Sequence, residues 1–239
     1  GKREKYCFVV MQLVGRSLAD LKIHRNDHVF SPCCALGIAG QCLEALEDLH
    51  RHGYLHRDIK PANYACGRGS KRHIIYILDF GIARKFIVDG KHKPQRERTR
   101  FKGTIKFASI ACHKGVDMAP KDDCESWFYL LIDIIQPDGL PWKRMTQKDA
   151  VGQCKEEYRK SEKKNELFEG LKCEKELIKI MEYLDGLKFV HPVNHEFIQV
   201  CLKRACRLEG GQITDPYDWE KVKDDEQDEE LEEEEEEKK

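Results

Sequence analysis

No apolar run in this 239-residue chain comes near the roughly 20 residues that a membrane-spanning helix needs. Trp127 to Ile132, which no other run exceeds, has six residues, so no transmembrane segment or membrane partner is expected. No hydrophobic signal segment opens the chain, and its 11 cysteines include no Cys-x-x-Cys pair. Being scattered and odd in number, they argue against a disulfide framework and for a reducing intracellular setting, cytoplasmic or nuclear. Neither Cys33, Cys34 and Cys42 nor Cys201 and Cys206 supplies the four ligands of a structural zinc site. They read as buried free thiols.

Charge of one sign is nearly absent in sum and abundant in parts. The net charge is −1, but residues 224–239 carry 12 acidic residues against two lysines. That leaves 40 basic and 31 acidic residues in 1–223, a charge of +9. A tail running from Asp224 through Glu237 repels itself and has little apolar surface, so disorder is expected there, as a solvated tail or as an internal competitor for acidic substrates. The rest is long enough for one sizeable core, and helical patterns outnumber strand patterns. Ser31 to His50 places Leu36, Ala39, Leu43, Leu46 and Leu49 at helical spacing. Trp127 to Ile132 is apolar on every side, as in a helix buried on all faces. Two further stripes, Leu177, Ile180, Met181, Leu184, Leu187 and Phe197, Cys201, Leu202, Ala205, read as core-facing helices.

What is there chemically is concentrated in two short stretches. His56-Arg57-Asp58-Ile59-Lys60-Pro61-Ala62-Asn63 is followed, 16 residues after its Asn, by Asp79-Phe80-Gly81 behind the apolar run Ile74 to Leu78. Phosphoryl transfer needs a carboxylate that orients the acceptor hydroxyl and oxygen ligands that hold magnesium on ATP. Asp58 stands in the catalytic-base position, Lys60 can neutralise the transferring phosphate, and Asn63 and Asp79 are the candidate metal ligands. The competing reading, with Asp58 and Asp79 as turn carboxylates and His56 as a satisfied core imidazole, must explain each polar identity separately.

Further segments carry a narrower resemblance. Met11-Gln12-Leu13-Val14-Gly15-Arg16-Ser17-Leu18, Gly103-Thr104-Ile105-Lys106-Phe107-Ala108-Ser109-Ile110, Asp122-Asp123-Cys124-Glu125-Ser126 and Gly139-Leu140-Pro141-Trp142 resemble segments of the casein-kinase-one superfamily of protein kinases. No Ala-Pro-Glu occurs, as in that superfamily. The hinge sequence and Cys66-Gly67-Arg68 look most like the tau-tubulin kinase branch. The resemblance covers about residues 6–208. It implies an α+β, predominantly α, protein-kinase-like fold, truncated to the hinge and large C-terminal lobe. Residues 1–14 would be strand five and the hinge, 15–215 the large lobe, and 216–239 an acidic disordered tail. A glycine-rich phosphate loop, a strand-three Lys and a helix-C Glu, which complete such a site, are not found before Tyr6.

By the same resemblance, adenine is read by backbone groups between Gln12 and Val14, with Met11 lining the back of the pocket. Asp20 is a candidate ribose acceptor, or equally a solvated carboxylate in a helix's first turn. Thr104 resembles the threonine that bridges Asp58 and Lys60, and with Lys60 it matches a serine/threonine-directed pattern. His56, Arg57 and Phe80 are structural anchors, and Asp123 accepts backbone amides of the catalytic loop. Arg100, Lys102 and Lys106, in a strongly cationic activation segment, are candidates for a pocket that holds an acidic or phosphorylated group of a protein substrate. A solvated basic loop is the plain alternative, and without aromatic interleaving nucleic acid is not an expected partner. Two functions follow: a serine/threonine kinase using ATP and Mg2+, or a catalytically silent binding module on a kinase scaffold.

Overall fold

In the computed structural model, residues 1–3, 5–25, 27–160 and 163–221 are described. Eight α-helices and six short strands follow in order: α1 Leu18–Ile23, α2 Pro32–Arg51, β1 Tyr54–Leu55, β2 Tyr64–Cys66, β3 Ile75–Ile77, β4 Arg84–Lys85, β5 Ile87–Val88, β6 Lys91–His92, α3 Ile110–His113, α4 Pro120–Ile135, α5 Lys148–Glu157, α6 Glu174–Asp185, α7 His195–Leu208 and α8 Asp218–Lys221. The strands make three antiparallel pairs, β1 with β4, β2 with β3, and β5 with β6. The predominantly helical expectation holds, and no described helix is long and apolar enough to cross a membrane.

The lobe is built around α4. Pro120 is pre-set for the first turn, the Asp122 carboxylate accepts the Ala119 N–H at 2.8 Å, and every residue from Asp122 to Ile135 is buried. A helix buried all round needs partners on every side: α2, α3 and α6 pack on it, and α7 closes the outer face of α2 and α6. Trp127 turns its one polar atom to use by donating Nε1–H to the Ala39 carbonyl of α2 at 2.8 Å. After α2, Gly53 takes φ +80°, a left-handed turn that glycine adopts freely, and sends the chain into β1 and the catalytic loop.

Three expectations are corrected. Tyr6 to Met11 does not form strand five: Tyr6, Phe8, Val9, Val10 and Met11 are exposed, and only the Lys2–Cys7 bridge is formed there. The residue types favour a strand, but a strand needs a neighbour for its ladder groups, and no described strand lies beside this one. In α7 the buried position is Ile198, whereas Phe197 is more than a third exposed and lies against Tyr183. The other members of the stripe, Cys201, Leu202 and Ala205, are buried as expected. Finally, the expected tail boundary at 216 falls within packed structure. Tyr217 is buried in the main core, Trp219 packs edge-on to Phe30, and Asp218 accepts both the Ser31 N–H and the Ser31 hydroxyl at 2.7 Å, capping α2 from across the chain. Residues 222–239, the rest of the expected tail, lie outside the described residues.

Tyr217 thus belongs to the folded lobe, and its hydroxyl accepts from Gln41 Nε2 at 2.6 Å. Tyr217→Ala is expected to lower unfolding stability by about 3 kcal/mol, as for other large aromatic truncations. Urea denaturation checks this, and a change under about 0.5 kcal/mol, the surface value, would return this segment to the tail.

Candidate active site

The catalytic loop lies between β1 and β2, and its shape is imposed by groups distant in sequence. Asp123 of α4 is fully buried, and one of its oxygens accepts the His56 N–H and the other the Arg57 N–H, both at 2.8 Å. The His56 ring joins the loop to the strand beyond it. Nδ1 accepts the Asp58 N–H at 3.2 Å, so Nε2 carries the proton that reaches the Leu78 carbonyl at 2.9 Å. Arg57 sits at φ +71°, a conformation that costs a non-glycine residue of order 1–3 kcal/mol. It is held there by its amide on Asp123 and by its guanidinium on the Ile82 carbonyl.

Held in this way, Asp58 meets its partners within a few ångströms. Lys60 Nζ lies 2.7 Å from Asp58 Oδ2, the Thr104 hydroxyl donates to Oδ1 at 2.7 Å, and Lys60 also reaches Thr104 Oγ1 at 3.1 Å. Asn63 Nδ2 donates to the Asp58 carbonyl at 2.8 Å, which leaves its carbonyl oxygen for another ligand. Burial works to raise the Asp58 carboxyl, but the Lys60 ammonium and the Thr104 hydroxyl outweigh it and hold the group below its ordinary value. It is an ionised acceptor at neutral pH. Gly103 makes the bridge possible: a Cβ there would lie 2.4 Å from the Arg57 carbonyl oxygen.

Asp79 is exposed at φ +63°, and its Oδ1 accepts the Gly81 N–H at 3.1 Å. Phe80 leans on the His56 ring at 5.5 Å between centroids, yet is half exposed. Asn63 and Asp79 supply neutral and anionic oxygens, the donor chemistry that Mg2+ takes. The nucleotide side is less complete. Met11, Gln12 and Leu13 are exposed and Val14 is half-buried; the chain rejoins the lobe at Gly15, whose N–H donates to the Cys66 carbonyl at 2.7 Å. Asp20 accepts the Ser17 hydroxyl at 2.6 Å and Ser17 caps the Asp20 amide, so it is engaged in the first turn of α1.

The cations of the activation segment are not equivalent. Arg84 and Arg96 both pair with Asp117, at 2.6 and 2.8 Å, and Lys106 pairs with Asp133 at 2.6 Å, where Lys22 also binds. Arg100 and Lys102 are exposed and form no ion pair among the described residues. Nothing here joins Lys106 to those two. Sequence reading also missed Lys155 of α5. Fully buried, it donates to the Ile105 and Ala108 carbonyls at 3.0 and 2.6 Å and lies over the Tyr129 and Trp142 rings. It pins the segment that carries Thr104. Its position beside an ordinary run of charges gave no signal of this.

The chain belongs to the protein kinase domain family, which it matches over residues 2–184. It is similar to a probable serine/threonine-protein kinase of Dictyostelium discoideum, 35% identical over 92% of this chain and 43% of that protein. It is likewise similar to the serine/threonine-protein kinase spe-6 of Caenorhabditis elegans, 34% identical over 92% of this chain and 58% of that one. The chain thus spans about half the length of these curated relatives.

Burial draws the Lys155 ammonium down to about 7, against an opposing pull from Glu125. The unfolded chain, with an ordinary lysine value near 10.4, therefore binds more protons than the folded one between about pH 7 and 10. Stability from this group is full above that window and falls as pH drops through it. Wild type should gain a few kcal/mol on Lys155→Met between pH 7 and 10, read from paired urea melts; parallel pH profiles would show a group that folds with its proton on.

Proposed function

We propose that this chain is the large-lobe part of a serine/threonine protein kinase that transfers the γ-phosphoryl of ATP, with Mg2+, to Ser or Thr of protein substrates. One observation carries it: the Asp58 carboxylate is ionised, anchored from beneath, and bridged by Lys60 and Thr104. That arrangement suits a base that orients an acceptor hydroxyl beside a cation able to neutralise the moving phosphate. Asn63 and Asp79 would hold the metal, which screens phosphate charge when bound. The segment 8–14, exposed as far as Leu13, offers backbone groups for adenine. The casein-kinase-one-like reading, closest to the tau-tubulin kinase branch, rests on the segments quoted above, and an intracellular setting accords with unpaired cysteines.

In protein joined to a small lobe carrying a glycine-rich loop and its Lys, Asp58→Asn is expected to slow phosphorylation about 10²- to 10⁴-fold with no change in melting temperature. Asp79→Asn should weaken Mg2+-dependent nucleotide binding instead. The 239-residue chain alone should show little turnover, because half of the phosphate clamp is missing from it. Quenched-flow turnover that survives Asp58→Asn would remove Asp58 from the role of base and favour a silent binding module.

We further infer a preference for acidic or phosphorylated substrates, supported by the exposed Arg100 and Lys102, which form no ion pair among the described residues, rather than by Lys106. Each charge-assisted contact to such a group contributes roughly 1.5–3 kcal/mol. Arg100→Glu with Lys102→Glu should cut the preference for a phosphorylated over a neutral peptide by more than tenfold. Equal losses on both peptides, in kcat/KM, would reject the preference.

A further inference from the structure

A cavity of about 370 Å³ is lined by Glu47, His50, Phe86, His92, His191 and His195, among others, so four of the ten histidines converge on it. Two of them meet a cysteine. One ligand-capable atom each from His50, Cys124 and His195 lies within 4.8 Å of the other two, and Cys124 Sγ is 4.0 Å from His195 Nε2. In a tetrahedral site with metal–sulfur and metal–nitrogen bonds of ordinary length, such atoms stand roughly 3.5 Å apart. A contraction of about half an ångström between Cys124 and His195, and of no more than roughly 1.3 Å for any other pair, would close the set around one ion by side-chain rotation.

The surroundings of the two rings are those of metal ligands. His50 is buried, and its Nδ1 has no hydrogen-bond partner among the described residues. Leaving a buried ring nitrogen unpaired costs free energy, and no neighbouring protein group relieves it. The other nitrogen, Nε2, is held 3.0 Å from Asp123 Oδ2. His195 repeats the pattern more loosely, with Nδ1 3.9 Å from Glu47 Oε1 and Nε2 toward Cys124. A ligating histidine ordinarily gives its second nitrogen to a carboxylate, which fixes the ring and raises its basicity. His50 has that carboxylate already in Asp123, and Glu47, now held by Arg51, stands one small side-chain shift from serving His195.

We propose that His50, Cys124 and His195 form a transition-metal site that takes Zn2+, with the fourth position open to water from the cavity. One sulfur and two imidazole nitrogens suit a borderline-soft ion and exclude Mg2+ and Ca2+, which require oxygens. On binding, the Cys124 thiol gives its proton to solvent and ligates as thiolate; no redox change is involved. Asp123 makes the site more than a surface feature. The same carboxylate that steadies His50 holds the His56 and Arg57 amides, so the ion would sit one imidazole ring away from the anchor of the catalytic loop. This inference stands apart from the substrate reading above.

Cobalt titration of the metal-free 239-residue chain tests it. Co2+ should bind one to one, with a thiolate-to-cobalt charge-transfer band and the intense visible bands of a tetrahedral ion, both erased by Zn2+. Cys124→Ser should abolish the charge-transfer band. His195→Gln should weaken Co2+ binding at least tenfold, and Glu47→Gln, which removes the carboxylate charge beside the second nitrogen of His195 together with the Arg51 ion pair, by about tenfold. Only weak octahedral spectra from folded protein would overturn the proposal, as would a charge-transfer band that survives Cys124→Ser and so belongs to another cysteine. Should Cys124→Ser fail to fold by circular dichroism, the partly exposed His195→Gln decides: unchanged affinity there overturns the site.

Discussion

A buried carboxylate with no counter-charge of its own would be among the most expensive groups in this lobe, and Asp123 escapes that cost by accepting three donors. His50 Nε2, the His56 amide and the Arg57 amide converge on its two oxygens at 2.8–3.0 Å. One side chain thereby ties the central helix α4, the end of α2 and the catalytic loop into a single body. The strain at Arg57 and the narrow approach of Gly103 both depend on it. If the loop were free to relax, Arg57 would leave its left-handed conformation, and the Arg57 carbonyl beneath Gly103 would move with it. The Thr104 bridge to Asp58 could not then keep its geometry.

The charge distribution follows a second constraint. A basic activation segment looks from its composition like a continuous anion-binding strip, but folding uses up much of it. Asp117 takes Arg84 and Arg96, and Asp133 takes Lys22 and Lys106. Both carboxylates are nearly buried, so these pairs are structural cross-links rather than surface charges awaiting a ligand. Lys155 acts alike from below, since its ammonium can satisfy two carbonyls that the turn after Thr104 leaves without backbone partners. What remains for an incoming anion is a smaller, more exposed set, and Arg100 and Lys102 are its nearest members to Thr104 in sequence.

How much of this the sequence disclosed depends on the range of each interaction. Within the motif His56 to Asn63, Lys60 and Asn63 contact Asp58 across two and five residues, so spacing alone placed them. Asp123 lies 67 residues from His56, and Thr104 lies 46 from Asp58; only family resemblance brought these into view. The helices α2 and α6 were legible because their apolar periods are strong, and α4 because its central run is apolar on every side. The strand expected at Tyr6 to Met11 was not, because propensity describes a residue's preference and not the presence of a partner strand. Composition misplaced the tail for a related reason. Tyr217 and Trp219 stand close before a long acidic run, and a window average gives them its character although each buries an aromatic ring. His50, Cys124 and His195 share no spacing at all, so their meeting is a property of the fold alone.

The same ranges explain how the candidate site divides its work. Every contact that shapes Asp58, Lys60, Asn63 and Thr104 comes from within the lobe: from α4, from β3 through Leu78, and from the segment pinned by Lys155. Among the described residues none of these hydrogen bonds passes through the exposed residues 8–13, and Phe80 enters only through its ring contact with His56. The acceptor side of the chemistry is therefore preorganised from beneath, where packing is dense and alternatives are few. The side proposed for nucleotide is an exposed apolar rim of Tyr6, Phe8, Val9, Val10, Met11 and Leu13. With packing on one side and exposure on the other, a partner that covered the exposed rim would leave Asp58 and its bridge to Lys60 and Thr104 in place, because the contacts that hold them lie beneath.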